Sequence, residues 1–178
     1  MESIIIRNIE KEDIPAVVDI QISGWQTAYK GIVDDLFLNS MNREERIKQR
    51  NQDYNQGGFI VAELNKQIVS YCRYVNSNVL SPETPEVDCE LSALYVKPNL
   101  KNNGIGTKMF QYVINEFKAQ NKTKMIIWCL KDNFPSRNFY EKMGGKIIKE
   151  RPITIGNKDY VEVGFLYNMS MGLDHFNS

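Results

Sequence analysis

Short strand-like runs along this chain alternate with longer segments of helical periodicity. Leu91 to Val96 is rich in β-branched and aromatic residues and is followed by Pro98, which cannot continue a sheet ladder. Met109 to Phe117 carries apolar residues at helical spacing. Together these patterns predict strands over 4–9, 59–63, 68–75, 87–96, 124–130, 146–150 and 160–167, and helices after Asp13, over 43–51, over 109–117 and after Pro135.

Turn signals indicate how these segments are joined. Asn65-Lys66 and Gly156-Asn157 suit tight hairpins, and the proline-containing stretch 76–86 suits a longer loop. The aromatic segment 25–33 is predicted to interrupt the first helix. The sequence therefore predicts one α/β domain over residues 1–170, with a mixed, largely antiparallel sheet of about seven strands flanked by helices, and a short tail over 171–178.

The composition is that of an ordinary soluble globular protein. Of 178 residues, 42% are hydrophobic and 25% are charged, and the 22 basic residues balance 22 acidic ones. This balance gives no basic surface for nucleic acid. No run is long enough to span a membrane, and the first residues lack a basic leader followed by an apolar stretch. We therefore expect a cytoplasmic protein with neither a nucleic-acid nor a membrane partner.

Three cysteines and a single histidine limit the chemistry further. Cys72, Cys89 and Cys129 stand in apolar, strand-like surroundings that are typical of buried free thiols. His175 is near the end of the chain and is predicted to be a solvated tail residue. No spacing typical of metal ligands is present, so we expect neither a metal site nor a cysteine nucleophile.

A glycine-containing loop follows the strand that ends at Val96. It reads Lys101-Asn102-Asn103-Gly104-Ile105-Gly106-Thr107 and leads directly into the helical segment. A strand–loop–helix connection leaves backbone N–H groups unpaired at the helix start, where the helix dipole adds positive potential. Glycine lets an anion approach that backbone closely. The loop is therefore a candidate phosphate or pyrophosphate site.

The spacing of the glycines decides among phosphate ligands. A P-loop needs four residues between its glycines, whereas only Ile105 separates Gly104 from Gly106. A dinucleotide fingerprint needs a glycine where Met109 stands, which argues against a nucleotide-binding module. The remaining pattern, Lys101-x-x-Gly104-x-Gly106, resembles the acyl-CoA pyrophosphate loop of the GNAT superfamily of N-acetyltransferases. Lysine stands where that superfamily prefers arginine or glutamine, which keeps the charge but loses the planar fork.

A second segment resembles the same superfamily. Residues at the spacing of its second signature are Asn133, Ser136, Phe139, Tyr140, Lys142, Gly144 and Gly145. Pro135 suits the first turn of a helix that such a glycine would end. Two motifs in the right order, about 30 residues apart with one strand between them, form a specific signal. The resemblance extends over about residues 4–169 and implies the GNAT fold, with splayed central strands.

The resemblance implies acetyl-CoA as co-substrate and no metal. The strand before the loop would pair its backbone with the pantetheine, and the N–H near Leu94 would serve as the oxyanion donor. The loop would hold the pyrophosphate, Asn133 would bind the cofactor near the start of its helix, and Ser136 would permit close approach or donate a hydrogen bond. The cofactor-binding residues so assigned are Leu94, Tyr95, Val96, Lys101, Asn102, Asn103, Gly104, Ile105, Gly106, Thr107, Asn133 and Ser136.

The resemblance also assigns the proton transfers. Tyr140 is the expected general acid, because a phenol of pKa ~10 can protonate a thiolate whose conjugate acid titrates near ~8.5. Glu90 is the expected base for the acceptor amine, and strand alternation places it on the face of Ser92 and Leu94. Asp88, Glu86 or a water molecule are alternatives for that role.

The resemblance implies a primary amine as the acceptor, and the sequence leaves the identity of that amine open. Trp25 and Tyr29 resemble a Trp-x-x-Ala-Tyr-x-Gly segment of small-molecule and amino-acid acetyltransferases, and they are predicted to line the acceptor site. A small amine, an amino acid analogue, an aminoglycoside and a protein N-terminus are the candidates, and the lack of an acidic run disfavours the aminoglycoside. A homodimer and a catalytically idle acyl-CoA-binding sensor of the same fold both stay open.

Overall fold

The computed structural model describes residues 3–170. These residues form seven strands and five α-helices, with 3₁₀ turns at Lys11–Asp13 and Pro98–Leu100. In chain order the elements are β1 (Ile5–Asn8), α1 (Ile14–Ala28), α2 (Asp35–Asn39), α3 (Arg43–Asp53), β2 (Phe59–Leu64), β3 (Gln67–Val75), β4 (Cys89–Val96), α4 (Ile105–Ala119), β5 (Lys124–Leu130), α5 (Phe134–Lys142), β6 (Lys146–Ile155) and β7 (Lys158–Asn168).

The strands form one sheet in the order β1-β2-β3-β4-β5-β7-β6. β4 and β5 run parallel, whereas β1–β2, β2–β3, β5–β7 and β6–β7 are antiparallel. The ladder between β4 and β5 covers only two pairs, Cys89 with Met125 and Glu90 with Ile126, and then stops. The predicted fold, a mixed and largely antiparallel sheet of seven strands with splayed central strands, is confirmed.

The described residues divide into two compact units, one formed by 3–74 with 93–112 and the other by 75–92 with 113–170. In the first unit, α1 buries Ile14, Val17 and Val18 in a core that also contains Phe59 and Tyr71. In the second unit the buried residues of β5 are in register with those of β7; these pairs are Met125 with Tyr167 and Ile127 with Phe165. The single domain expected from the sequence stays a prediction.

Asp13 stands at the start of α1 as predicted, but its carboxylate does not cap that helix. Its Oδ2 atom accepts hydrogen bonds from Arg7 Nη1 at 2.7 Å and from the backbone N–H of Glu10 at 2.8 Å. Arg7 also donates to Glu63 Oε2 at 3.0 Å. The paired guanidinium competes successfully for the carboxylate, so Asp13 joins β1 to the 3₁₀ turn.

Two helix predictions were wrong in part. α1 continues through Gly24 to Ala28 instead of breaking at Trp25, and the turn that follows it contains Gly31, whose φ is 77°. α2 was not predicted, because five residues are too few to show periodicity. Its start is fixed by Asp34, whose Oδ1 accepts from the Leu36 N–H at 3.0 Å.

The closing hairpin is longer than predicted. β6 and β7 extend to the turn at Gly156 and Asn157, and their register continues to the pair Ile155–Lys158. Most of β6 is exposed, so no apolar run marks its outer half in the sequence. The hairpin at Asn65 and Lys66 is confirmed, with φ values of 53° and 60° that a two-residue turn requires.

The remaining expectations concern the cysteines, the C-terminal tail, metal ligands and membrane spans. Cys72, Cys89 and Cys129 are buried and free as predicted, and burial raises the pKa of each thiol. The predicted tail 171–178, with His175, lies outside the described residues. Within residues 3–170, no group of three or more His, Cys, Asp and Glu side chains is arranged to hold a metal ion. Over the same range, no helix has the length and apolar character that a membrane span needs.

Gly57 and Gly58 provide a test of the turn before β2. Both have positive φ, 85° for Gly57 and 66° for Gly58. Among the described residues, nothing lies within 4 Å of the position that a Cβ on Gly57 would take. A Cβ on Gly58 would overlap the carbonyl oxygen of Tyr74. We expect Gly57→Ala to lower the free energy of unfolding by about 1 kcal/mol through strain alone. Gly58→Ala should cost about 2 kcal/mol more, because backbone must move. Equal losses in urea unfolding would contradict this packing.

Candidate active site

The loop from Lys101 to Thr107 has a backbone suited to an anion. Asn102 and Gly104 are both left-handed, with φ of 64° and 75°, and the side chain of Asn103 donates to the carbonyls of Leu100 and Lys101 at 3.2 Å each. No atom of residues 3–170 lies within 4 Å of the position that a Cβ on Gly104 would take. The loop is therefore held by its own side chains and open above its glycine, as a pyrophosphate site requires.

The start of α4 supplies the donors. The helical ladder includes a 3.0 Å bond from Lys108 N to Gly104 O, so the N–H groups of Ile105, Gly106 and Thr107 precede that bond and belong to the first turn. These N–H groups lie at the positive end of the helix dipole, which favours the binding of a negatively charged group. The loop and the helix start together fit a diphosphate.

The backbone of β4 uses alternate residues on its two edges. On the β3 side, Lys97 N donates to Val69 O at 2.8 Å and the Tyr95 carbonyl accepts from Ser70 Oγ at 2.7 Å. Because successive residues of a strand direct their backbone groups to opposite edges, Leu94 and Val96 turn their N–H and C=O groups to the edge away from β3. Of the three residues predicted to pair with pantetheine, Tyr95 therefore uses its carbonyl on the β3 side, whereas Leu94 and Val96 turn their main chain to the other edge.

Glu90 is a buried carboxyl group, only 4% exposed. Its Oε2 atom accepts a hydrogen bond of 2.6 Å from Ser81 Oγ, which in turn accepts one of 2.8 Å from Trp128 Nε1. Burial raises the pKa of Glu90, and the bond from Ser81 only partly opposes that effect. A carboxylate with a raised pKa is a better proton acceptor near neutral pH.

Arg151 supports this arrangement from β6. Its guanidinium lies 3.9 Å from the centroid of the Trp128 ring and donates to Glu162 Oε1 at 2.6 Å and Glu83 Oε1 at 2.7 Å. Sequence reasoning missed Ser81, Trp128 and Arg151 because each lies on a different element. Nothing in their spacing marks them as neighbours of Glu90.

Asp88 is the other carboxylate at this end of β4, and it is used structurally. It accepts hydrogen bonds from the N–H of Thr123 at 2.9 Å, from the Thr123 hydroxyl at 3.1 Å and from the N–H of Lys124 at 3.0 Å. Burial alone would raise the pKa of Asp88, but these bonds outweigh it and hold the pKa below its ordinary value. Asp88 therefore fixes the turn into β5 and is a weaker base than Glu90. Glu86 is exposed.

Asn133 and Ser136 meet at the start of α5. The side-chain oxygen of Asn133 accepts from the N–H of Ser136 at 3.4 Å and caps the helix, with Pro135 in the first turn. Asn133 is buried, and because its oxygen serves the cap, its Nδ2 group is left for the predicted cofactor contact.

Tyr140 lies on the buried face of α5. Its ring contacts those of Phe139 and Phe165, with centroids 5.5 and 5.8 Å away. Its carbonyl accepts from the Tyr167 hydroxyl at 2.7 Å and from the N–H of Gly145 at 3.0 Å. These contacts fix the end of the helix and with it the direction of the Tyr140 side chain.

The two aromatic residues predicted for the acceptor site come together with Tyr95. The rings of Trp25 and Tyr29 meet edge to face with centroids 4.9 Å apart, and the hydroxyls of Tyr29 and Tyr95 are 3.3 Å apart. Gly24 makes room for the Tyr95 ring, since a Cβ there would lie 2.8 Å from its Cδ1. Burial raises the pKa of Tyr95, with Tyr29 and Trp25 opposing the shift.

A family model described as the acetyltransferase (GNAT) family matches residues 24–145, more than half of the chain. The chain belongs to this family. Family membership confirms the transferase class and the acetyl-CoA co-substrate that the two motifs predict. The roles of individual residues stay predictions.

Curated relatives of this GNAT protein match over most of its length. A probable N-acetyltransferase from Mycobacterium tuberculosis is 25% identical over 164 residues, covering 88% of this chain and 90% of the relative. A spermidine N(1)-acetyltransferase from Thermoplasma acidophilum is 22% identical over 148 residues, covering 82% of this chain and 89% of the relative.

Solved structures of other N-acetyltransferases share the fold. The PaiA N-acetyltransferase of Thermoplasma acidophilum in complex with coenzyme A superimposes with a TM-score of 0.70 at 19% identity, covering 93% of this chain and 99% of that one. A putative acetyltransferase from Salmonella typhimurium with acetyl-CoA gives 0.65 at 15% identity, covering 93% and 94%. These likenesses concern the fold alone.

The loop predicts a backbone-dominated contact with acetyl-CoA. Gly104→Val should weaken acetyl-CoA binding more than tenfold, because the side chain would occupy the open space above the loop and strain its left-handed backbone. Gly57→Val, which carries similar strain at an open position elsewhere, is the control. Lys101→Ala should cost less, since an exposed ion pair is worth about 1 kcal/mol or less. A larger calorimetric loss for Lys101→Ala would refute this account.

The hydrogen bonds of Asp88 predict a pH-dependent loss of stability. Asp88→Ala should lower the free energy of unfolding by about 2 kcal/mol at pH 7, whereas Glu86→Ala should change it by less than about 0.5 kcal/mol. Because the pKa of Asp88 is lowered by folding, its contribution is present above the unfolded pKa of about 3.9 and lost as pH falls through the folded value. Thermal melts whose difference persists at low pH would argue against this role.

Proposed function

We propose that the protein transfers an acetyl group from acetyl-CoA to a primary amine by direct attack. The observation that carries this proposal is the backbone cradle at the start of α4, with left-handed residues at Asn102 and Gly104 and the first-turn N–H groups beyond them. Bound acetyl-CoA supplies an activated acyl thioester. The loop binds its pyrophosphate, and Leu94 and Val96 bind the pantetheine amides through their main chain.

Glu90 is the proposed general base. Its raised pKa favours proton acceptance, and Ser81 and Trp128 fix its Oε2 atom. Among residues 3–170, no hydrogen bond engages Oε1, which is the oxygen that we assign to the amine proton. Asp88 is the poorer candidate, because its oxygens already accept three bonds from Thr123 and Lys124.

Tyr140 is the proposed general acid. A neutral phenol donates a proton without bringing a charge into a buried position. The contacts with Phe165 and Tyr167 support this role, since they hold the helix end on which the hydroxyl is carried. Asn133 Nδ2 and Ser136 are proposed to contact the cofactor at the start of the same helix.

The variant Tyr140→Phe tests whether Tyr140 is the general acid. We expect it to lower kcat by ~10²–10³ and to leave acetyl-CoA affinity within about twofold, because a proton donor acts only as the thioester breaks. The assay is thiol release with a panel of amines, and Tyr54→Phe is the control. Full turnover by Tyr140→Phe would mean that solvent protonates the thiolate. Thiol release that no amine accelerates in the native protein, with acetyl-CoA binding intact, would indicate the idle sensor.

Glu90→Gln tests the base through its pH dependence. The rate deficit should be largest at neutral pH, where most amine is protonated, and should shrink as pH rises towards the pKa of the amine. Glu86→Gln is the control from the exposed end of the same segment. An unchanged pH–rate profile in Glu90→Gln would assign the proton to water or to Asp88.

A further inference from the structure

Arg46 on α3 is a half-buried cation whose guanidinium has no ion-pair or hydrogen-bond partner within residues 3–170. The other arginines of this unit near it all have a carboxylate: Arg43 pairs with Asp19, and Arg50 and Arg73 share Asp53. Burial lowers the pKa of Arg46, and the positive charge of Arg50 lowers it further. A cation that served the fold alone would be expected to have such a partner.

Tyr71 provides a second unpartnered polar group beside it. The Tyr71 side chain is 4% exposed, and within the described residues its hydroxyl makes no hydrogen bond. It lies within electrostatic range of Arg46, as does Tyr95. A tyrosine whose side chain is largely buried and whose hydroxyl has no protein partner can donate that hydroxyl to a ligand or to water. Arg46 and Tyr71 are therefore two donor side chains that no acceptor within residues 3–170 engages.

The surroundings of this pair are those of the predicted acceptor site. The Tyr71 ring stacks on Tyr95 with centroids 5.5 Å apart, and Tyr95 meets the hydroxyl of Tyr29 at 3.3 Å. Ile47, the neighbour of Arg46 on α3, packs against the core cluster that contains Tyr71. All of these residues belong to one compact unit.

The charge of the cluster selects the ligand. Arg50 and Arg73 share one carboxylate through the Oδ2 atom of Asp53, and Arg46 adds a third positive charge within electrostatic range of Arg50. This excess repels a polyamine and attracts an anion. A guanidinium fork and a phenol hydroxyl suit the planar oxygens of a carboxylate.

We infer that Arg46 and Tyr71 bind the carboxylate of the acceptor, which is therefore an amino acid or a related small aminocarboxylate. This inference rests on the acetyl transfer proposed above. Trp25 and Tyr29 then contact the apolar part of the acceptor, and the carboxylate fixes the molecule by the end that does not react.

The test compares amino acids with their carboxamides, which keep the shape and lose the charge. In the thiol-release assay, Arg46→Met should raise KM for the preferred amino acid at least tenfold and leave KM for its carboxamide within twofold. The ratio of native to variant cancels the different amine pKa values of the two acceptors. Arg46→Lys should lie between, because lysine keeps the charge without the fork. Tyr71→Phe should show the same selectivity with a smaller change.

Arg43→Met is the matched control on the same helix, since Arg43 is exposed and paired with Asp19. It should leave both KM values within twofold. Equal loss of amino acid and carboxamide in Arg46→Met, loss of acetyl-CoA affinity, or preference of the native protein for spermidine over every amino acid would overturn the inference.

A binding measurement separates this inference from the proposed reaction. Saturation-transfer NMR on the protein with coenzyme A should detect the amino acids but not their carboxamides, and Arg46→Met should abolish the signal. If no amine accelerates thiol release, the proposed function fails, and this experiment still decides the Arg46 subsite. Equal signals from acid and carboxamide would refute it.

Discussion

The alternating edges of β4 are the constraint on which the candidate site depends. Tyr95 and Lys97 direct their backbone groups to β3, while Asp88 N donates to Lys124 O on the β5 side at 3.0 Å. The ladder with β5 stops at Glu90 and Ile126. Beyond that point no strand of residues 3–170 pairs with β4 on the edge opposite β3, which is why we propose that Leu94 and Val96 bind an extended ligand there.

Two carboxylates at the start of β4 show how local contacts divide structural from chemical roles. Asp88 accepts three hydrogen bonds from Thr123 and Lys124, which lower its pKa and commit it to the turn. Glu90, two positions along the strand, accepts one from Ser81, and burial raises its pKa. A carboxyl group thus stabilises a turn at position 88, whereas at position 90 its raised pKa suits proton transfer.

Local sequence features predicted much of this arrangement. Residue types and period-two alternation predicted the strand that carries Glu90, and the glycine spacing predicted the loop at Gly104, because both depend on neighbours in the chain. Contacts between segments that are distant in the chain could not be predicted from these features. Ser81 comes from a loop and Trp128 from β5, and no local pattern pairs them. The lack of a partner for Arg46 within residues 3–170 is likewise a property of the fold and not of the local sequence.

Hydrogen exchange of the β4 amides, followed by NMR, tests the central claim most directly. In the free protein the amide of Lys97 should exchange slowly, because it donates to Val69, whereas those of Leu94 and Val96 should exchange faster. Saturating acetyl-CoA should slow exchange at Leu94 and Val96 at least tenfold and leave Lys97 unchanged. Exchange at Leu94 and Val96 that acetyl-CoA does not alter would contradict the assignment of this strand edge to the cofactor.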